Sequence, residues 1–367
     1  MFGAIRWDAW NGRSGDVIST TVAKVMAPTK YRWRLPWFVN TTDPATISFD
    51  GNRQAIMDDE LRYASRAGLR FFAYDTYCVW PTDADIPQCA GYWGIDRAVT
   101  PPQGPSSNGY KPTDPAYGLK LHLSSPVKHL MNVSLVLLGG APAVPRMRAR
   151  SLRVMRDPAY QRVLGGRPLV FLFQASQREA DMNGGWAAWK AQWDAFRAES
   201  VSQGTGNPYF VALCVGTGNF GAAVALKENL GFDAIGAYAL PGGTLAGVPF
   251  AEQIGTAREF WSMAARNGSA QTLVPPVPTG WDPRPRADHP PVWVHESGAH
   301  FVEPTAAEIT GIFADAAAFM RAQPAVAEAG VALAYAWNEN TEGGWILPTK
   351  GNGTMRLDAV AKALLGG

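Results

Sequence analysis

Two glutamates near the end of the chain, Glu339 and Glu342, have the residue type and spacing of an acid pair that can move protons. They directly follow an apolar run, and a Gly-Gly pair comes immediately after them. Glycines permit a tight turn, so we expect both acids on one short loop between Trp337 and Trp345. A close carboxylate pair beside aromatic rings is typical of sites that cleave glycosidic bonds.

The apolar run that starts at Val331 predicts the element that positions these acids. It shows no alternation of apolar and polar residues, which is typical of a strand covered on both faces. In α/β folds the functional groups collect where such strands end. Most acids on a loop are solvated surface groups, but the strand-end position, the two tryptophans and the glycines favour a functional pair here.

Eight strand-like segments alternate with helical segments along the chain. The strands are predicted to begin near Ala4, Arg70, Val133, Leu169, Phe210, Ala234, Leu273 and Ala332. The helices are predicted at 58–68, 114–130, 148–164, 186–200, 222–230, 250–267, 305–329 and 357–365. Eight strands separated by helices favour an α/β fold of the (β/α)8 TIM barrel type, with an open doubly wound sheet as the alternative.

The whole chain, 1–367, is predicted to form one such barrel with long decorated loops. A strand-like piece at 35–39 is assigned to one of these loops, and the Pro- and Gly-rich stretch 81–115 to a functional or lid-like loop. Polar and aromatic residues at the strand ends are then expected around one mouth. Besides the two acids, the predicted substrate contacts are Trp7, Asp8, Asp75, Tyr77, Tyr238, Trp281, Asp282, Glu296, Trp337, Asn338 and Trp345, with Gln174 at a further strand end.

Two other motifs are weaker than they first look. The stretch 216–221 matches G-x-G-x-x-G, but the next strand ends without an acid for a ribose, so a flexible loop explains the glycines. His295-Glu296 is followed by His300, one residue later than the zinc-protease helix requires, and Gly298 disfavours a helix. We therefore predict no metal and no cofactor.

Composition excludes several classes of protein. The chain has 47% hydrophobic and 17% charged residues, enough apolar material for one large core and too little charge for disorder. The net charge is only +2, and the arginines at 146–156 are spaced as a solvated helix face, so no nucleic-acid partner is expected. Neither a signal-peptide pattern nor a membrane-spanning run is present in the sequence, which leaves a secreted or a cytoplasmic protein open.

The aromatic and cysteine residues leave alternatives open. The 14 tryptophans, many in Gly/Pro-rich segments, could be exposed rings that stack on sugars or the cores of large loops. Three cysteines are too few for a disulfide scaffold, although Cys78 and Cys89 could bridge one loop in an oxidising compartment.

The block Trp337–Gly343, which reads W-N-E-x-x-E-G, resembles glycoside hydrolase family 99 and the WbsX-like (family 99-like) proteins. The segments 63–72, 160–170 and 280–286 are similar to the corresponding pieces of WbsX-like chains, in the same order. The resemblance implies a (β/α)8 barrel that acts on carbohydrate. It also implies that Glu339 is the base that activates the substrate's own 2-hydroxyl and that Glu342 is the general acid/base, with retention of configuration and no metal.

The resemblance has departures that affect the expected sugar. Asn340 stands where an aromatic residue is frequent, Leu347 where many relatives have Glu, and the opening strand reads Ile-Arg-Trp-Asp instead of a tyrosine-rich segment. The mannoside preference of the family is therefore not carried over.

Two neighbouring carboxylates raise one another's proton affinity, so one of the pair is expected to titrate high; by the resemblance it is Glu342, with Glu339 ionised. Other functions stay open: a non-catalytic carbohydrate-binding or structural barrel, as part of a larger assembly, and a glycosyltransferase-like WbsX protein.

Overall fold

The computed structural model describes residues 1–12, 17–76, 117–143, 145–173, 177–266, 271–291 and 294–366. Four of the predicted features lie outside these residues: the loop 81–115, the substrate contact Tyr77, the strand-end residue Gln174, and the pair Cys78 and Cys89.

Eight parallel strands form the centre of the fold. They are β1 (Phe2–Arg6), β2 (Phe71–Asp75), β3 (Asn132–Leu138), β4 (Arg167–Phe173), β5 (Tyr209–Val215), β6 (Ala234–Ala239), β7 (Pro276–Pro278) and β8 (Ala332–Tyr335). Their order in the sheet is β6-β5-β4-β3-β2-β1-β8-β7. The backbone of Ile235 in β6 pairs with Leu273, just before β7, which joins the two ends of this order. The sheet is a nearly closed (β/α)8 barrel, so the predicted fold class is confirmed.

Along each barrel strand the side chains alternate between two buried layers. Ile5, Phe71 and Leu333 point into the barrel, whereas Ala4 and Phe72 pack between the barrel and the helices. Both faces of each strand are therefore apolar, which explains the uninterrupted apolar runs in the sequence. Burial of each large apolar side chain contributes about 1.5–3 kcal/mol to the stability of the fold. The residues at the strand ends are therefore attached to a well-packed barrel.

Helices surround the barrel. They are α1 (Val17–Met26), α2 (Gln54–Arg66), α3 (Tyr117–Ser124), α4 (Pro145–Met155), α5 (Gln177–Met182), α6 (Trp186–Ser202), α7 (Phe220–Leu230), α8 (Phe250–Ala265), α9 (Arg284–Asp288), α10 (Ala306–Ala322) and α11 (Met355–Leu365). Helices α1, α5 and α9 were not predicted. α5 and α9 have only six and five residues, too few for an apolar stripe. α1 does bury a stripe, formed by Ile18, Val22, Val25 and Met26, which the prediction overlooked.

Three predicted helices are wrong in length, and proline explains each case. The helix predicted at 114–130 ends at Ser124, two residues before Pro126. The one at 148–164 ends at Met155, before Pro158, and residues 162–163 instead pair with β4. The one at 305–329 ends at Ala322, before Pro324. Proline lacks the amide hydrogen and restricts the residue before it, so the helix stops there.

Two structural details complete the fold. The peptide bond between Tyr335 and Ala336, at the end of β8, is cis. Within the described residues, no helix is both long enough and apolar enough to cross a membrane.

Candidate active site

After β8 the chain turns back in a short hairpin that carries both glutamates. Asn338–Glu339 pairs in antiparallel fashion with Gly344–Trp345. Gly343 lies between them with φ at +89°, and a Cβ atom there would come within 2.3 Å of the backbone nitrogen of Asp282. Only glycine fits such a conformation and such a close approach. The tight turn predicted from the Gly-Gly pair is therefore present.

Neighbouring segments fix this hairpin in place. The side-chain amide of Asn338 accepts a hydrogen bond from the backbone N–H of Trp7 (2.9 Å) and donates one to its carbonyl (2.6 Å). The amide of Asn340 donates to the carbonyl of Arg34 (2.8 Å). These bonds tie the acid-bearing turn to the end of β1 and to the loop that follows α1. The amide of Asn338, predicted as a substrate contact, is thus used within the protein.

Glu339 lies almost completely inside the mouth of the barrel, with 3% of its surface exposed. The hydroxyl of Tyr238, at the end of β6, lies 3.4 Å from Oε1 of Glu339. Nη2 of Arg286 lies 3.4 Å from its Oε2. The two oxygens of this carboxylate therefore face two partners from different parts of the chain, Tyr238 near the end of β6 and Arg286 in the segment after β7.

Glu342 is half-buried and contacts two donors. Nη1 of Arg286 donates to its Oε1, and the hydroxyl of Tyr335, the last residue of β8, donates to its Oε2. One guanidinium group therefore contacts both acids. Arg286 belongs to the short helix α9, and its Nε also donates to the hydroxyl of Thr341 in the acid-bearing turn (3.0 Å).

Arg286 was not among the predicted site residues. Two arginines lie two positions apart in α9, and nothing in the sequence separates Arg286, which reaches the acids, from Arg284, which does not. The available signal was the position of the segment just beyond β7, where strand-end loops enter the mouth.

Asp75 and Tyr238 meet at the mouth as expected from their strand ends. The hydroxyl of Tyr238 donates to Oδ2 of Asp75 (2.7 Å) and so connects the end of β2 with Glu339. The ring of Tyr238 stacks on Phe173, with 4.0 Å between the ring centroids. Glu296 is half-buried near the same group, since its charge acts on both Arg286 and Tyr335.

Burial dominates the electrostatics of Glu339. It raises the pKa of this carboxyl to about 7, and the charge of Arg286 and the hydrogen bond from Tyr238 offset only part of this effect. The high titration that was expected of Glu342 is thus found at Glu339, whose pKa burial raises. The reason is that Glu339 is enclosed by the barrel, whereas Glu342 reaches the edge of the turn.

Asp8 does not join the acid pair in the described contacts. Its Oδ1 accepts from Nη1 of Arg6, and its Oδ2 accepts from the backbone N–H of Gly118 (3.0 Å). Nε of Arg6 in turn donates to Glu60 of α2 (2.6 Å). Asp8 therefore belongs to a buried ion cluster on the helix side of β1. Alternation explains this placement, because Ile5 points into the barrel and Arg6 points away from it.

Asp282, predicted as a substrate contact, also forms hydrogen bonds within the protein. Its Oδ2 accepts from Nη2 of Arg34 (2.5 Å) and from Nη2 of Arg284 (2.7 Å), and its backbone N–H donates to the carbonyl of Glu342 (2.6 Å). Burial opposes ionisation, but the two arginines lower the pKa of Asp282 to about 2. The carboxylate of Asp282 thus holds two arginines, while its backbone N–H contacts the acid-bearing turn.

The predicted tryptophan contacts are mostly core residues. Trp337, with no exposed surface, packs on Phe72 between barrel and helices. Trp345 is stacked under the guanidinium of Arg356, 3.4 Å from its centroid. Buried rings of this kind present no face to a sugar. Trp7 and Trp281 are also buried but border the site: the ring of Trp7 lies 5.5 Å from the guanidinium of Arg286, and Trp281 neighbours Tyr335.

The two motifs judged weak lie outside regular strands. In the first, Gly216 precedes a short 3-10 turn at Thr217–Asn219 and Gly221 lies in the first turn of α7; Gly218 and Gly221 have no atom close to a Cβ position. Residues 294–299 form no helix. No group of three or more potential metal ligands occurs within the described part of the chain.

Solved structures of glycoside hydrolases are similar to this chain in fold. For the GH99 endo-alpha-mannosidase from Bacteroides thetaiotaomicron the TM-score is 0.52 at 12% identity, with 99% of this chain and 96% of that chain covered. For the same enzyme with bis-tris-propane it is 0.55 at 13% identity, with 99% and 97% covered. A glycoside hydrolase-like protein gives 0.54 at 12% identity, with 99% and 93% covered.

At these identities the likeness shows the fold alone, and the family 99 fold implied by the sequence resemblance is confirmed at that level. No protein-family model matches the sequence, and the search of curated proteins found no match. The WbsX-like part of the resemblance stays a prediction.

Proposed function

We propose that this protein is a retaining glycoside hydrolase that cuts within an oligo- or polysaccharide and uses Glu339 and Glu342. One observation carries the proposal: two carboxylates from the same turn lie together at the mouth of a (β/α)8 barrel, joined by Arg286. A pair of acids at this end of such a barrel is the arrangement that glycosidic-bond cleavage requires. The similar fold of enzymes named endo-alpha-mannosidases supports the proposal and its endo-acting form.

In the proposed first step Glu339 takes the proton of the substrate's 2-hydroxyl, and the freed oxygen attacks the anomeric carbon. Glu342 gives its proton to the departing glycosidic oxygen, so the C–O bond breaks as the new one forms. In the second step Glu342 takes a proton from water, the water oxygen opens the strained ring, and Glu339 returns its proton to O2. Two inversions at the same carbon give net retention.

The pKa of Glu339 suits the role of base. A general base works best when its pKa lies near the working pH, because it is then substantially ionised and still accepts a proton readily. Burial raises the pKa of Glu339 to about 7, whereas an ordinary glutamate would be a weaker base. Glu342 must carry a proton before the first step, so its contacts with Arg286 and Tyr335 are expected to change when substrate enters.

The direct test is release of reducing ends from a panel of polysaccharides and glycans. The wild-type protein is expected to act on at least one member, and Glu339→Gln and Glu342→Gln to lose at least ~10²-fold in rate. Glu252→Gln, the same change at an exposed position of α8, is the matched control and should behave like wild type. Early products longer than one sugar indicate endo action, and NMR of the first product anomer reports retention.

Other outcomes of this panel contradict the proposal. Binding seen by fluorescence quenching without release of any reducing end would indicate a carbohydrate-binding barrel. Transfer from a nucleotide sugar without hydrolysis would indicate the glycosyltransferase-like alternative. Inverted product would keep the hydrolase but reject participation of the 2-hydroxyl.

A further inference from the structure

Arg286 lies between the two acids and contacts each of them with a different nitrogen. Nη1 donates to Glu342, Nη2 lies 3.4 Å from Glu339, and Nε donates to Thr341 of the same turn. The residue is only 5% exposed, and its guanidinium lies over the ring of Trp7. Its orientation is therefore fixed by the turn that carries both acids.

Arg284, the other arginine in α9, has different contacts. The side chain of Arg284 is 46% exposed and donates to Asp282, not to the acid pair. Both arginines are in the same five-residue helix, so a change at Arg284 perturbs the same element without touching Glu339 or Glu342. Arg284 is accordingly the matched control for any variant of Arg286.

The charged and titratable groups that face Glu339 come from several elements. Among the described residues they are Arg286 from α9, Tyr238 at the end of β6, Asp75 at the end of β2, Tyr335 of β8, Glu342 of the same turn, and Glu296 of the loop after α9. Within this group the cation is Arg286, and the remaining members are acids or phenols. Loss of its charge therefore leaves Glu339 among groups that disfavour ionisation.

We propose that Arg286 is a positioning residue that stabilises the single negative charge shared by the two acids, on Glu339 before the first step and on Glu342 after it. The inference rests on the proposed function. In that step the 2-hydroxyl proton moves to Glu339 while the proton of Glu342 moves to the leaving oxygen, so the charge passes from one acid to the other. The same guanidinium contacts both carboxylates and need not travel with the charge.

The test is the pH profile of kcat/KM for Arg286→Met beside wild type. Without the cation Glu339 holds its proton more tightly, and the acid limb is expected to move to higher pH by about one unit or more. For a shift of one unit, the loss of activity should then be about fivefold greater at pH 6 than at pH 8. Arg286→Lys keeps the charge and should restore the position of the limb, and Arg284→Met should leave it unchanged. A loss that is uniform across pH would reduce Arg286 to a structural residue and overturn the proposal.

A second measurement separates this inference from the proposed function. Infrared titration of the carboxyl groups, with Glu339→Gln to assign the band of Glu339, follows its protonation without any substrate. The midpoint should rise in Arg286→Met, or in Arg286→Gln where the methionine variant does not fold. An unchanged midpoint contradicts the role of Arg286 even in an active enzyme. If the midpoint is raised but the protein cleaves no glycan, the effect of Arg286 on the pKa of Glu339 is supported and the proposed hydrolase activity is contradicted.

Discussion

Two buried arginines in this barrel each hold a pair of carboxylates, and the two clusters face opposite sides of the strands. Arg6 in β1 contacts Glu60 and Asp8 on the helix side, where all three residues are at most 7% exposed. Arg286 contacts Glu339 and Glu342 at the mouth, where Glu342 lies at the edge of a turn. The residue types are the same, but the first cluster joins β1 to α2, whereas the second joins α9 to the hairpin after β8.

The two clusters contain the same types of charged residue. What separates the structural cluster from the candidate active site is the side of the barrel strands on which the side chains lie. The Arg6 cluster borders a small pocket of about 10 Å³, room for roughly one water molecule. A sugar ring is larger than this pocket. Its acids lie on a helix and next to a strand, both packed in the core, whereas the mouth acids share one hairpin that depends on Gly343. We therefore expect changes at Arg6 to act on stability and changes at the mouth to act on chemistry.

The largest effect on stability is expected from Arg6→Met. The substitution removes a cation that Glu60 and Asp8 both contact, and loss of one partner from a buried ion cluster typically costs about 3–5 kcal/mol. Urea unfolding at pH 7 measures the change. The same substitution at Arg286 should cost clearly less, because Glu342 is half-buried and Glu339 can take up a proton near pH 7. Equal losses at the two arginines would remove the distinction between the clusters.

The next effect concerns the pH dependence of stability. The pKa of Glu339 is about 7 in the folded protein and near its ordinary value when unfolded, so the folded state binds the extra proton between about pH 4.5 and 7. Stability from this group is present at low pH and is lost as the pH rises through that window, by roughly 3 kcal/mol. The Glu339→Gln variant should not lose stability in this window, so its free energy of unfolding should increase relative to that of wild type as the pH rises. Parallel stability curves for the two proteins would show that Glu339 is not so perturbed.

A smaller effect is expected from Asn338→Ala, which removes the link between the two regions. The side-chain amide of Asn338 satisfies both backbone groups of Trp7, one residue from the Arg6 cluster. Loss of these two buried bonds is expected to cost about 2 kcal/mol and to loosen the hairpin. Thermal unfolding and the glycan assay should both report a decrease. A stable variant with wild-type activity would show that β1 does not support the acid pair.

The fold could be predicted from the sequence because its determinants are local. Each barrel strand is a short apolar run bounded by polar residues, and all eight occur where they were expected. Helix ends were less predictable from apolar spacing alone, because Pro126, Pro158 and Pro324 override a pattern that otherwise continues. The short helix α9, with five residues, is too short to show an apolar pattern of its own.

The site was predictable only in part because its contacts join distant segments. Strand-end position correctly indicated that Asp75, Tyr238, Glu339 and Glu342 meet, although the catalytic roles of the acids stay a proposal. Arg286 lies more than 50 residues before the acids that it contacts. A contact at this separation cannot be predicted from local sequence patterns or composition. The placement of Asp8 was open to prediction, since Arg6 two residues earlier already faces the helices.

The central claim, that Glu339 and Glu342 divide base and acid work, is tested most directly by leaving-group dependence in the two Gln variants. The measurement is the first-step rate on the glycan that the panel identifies and on an aryl glycoside of the same sugar, whose departure needs little protonation. Glu342→Gln should be slow on the glycan and regain much of its rate on the aryl substrate, whereas Glu339→Gln should stay at least ~10²-fold slow on both. Wild-type rates in both variants, with the fold intact, would contradict the claim.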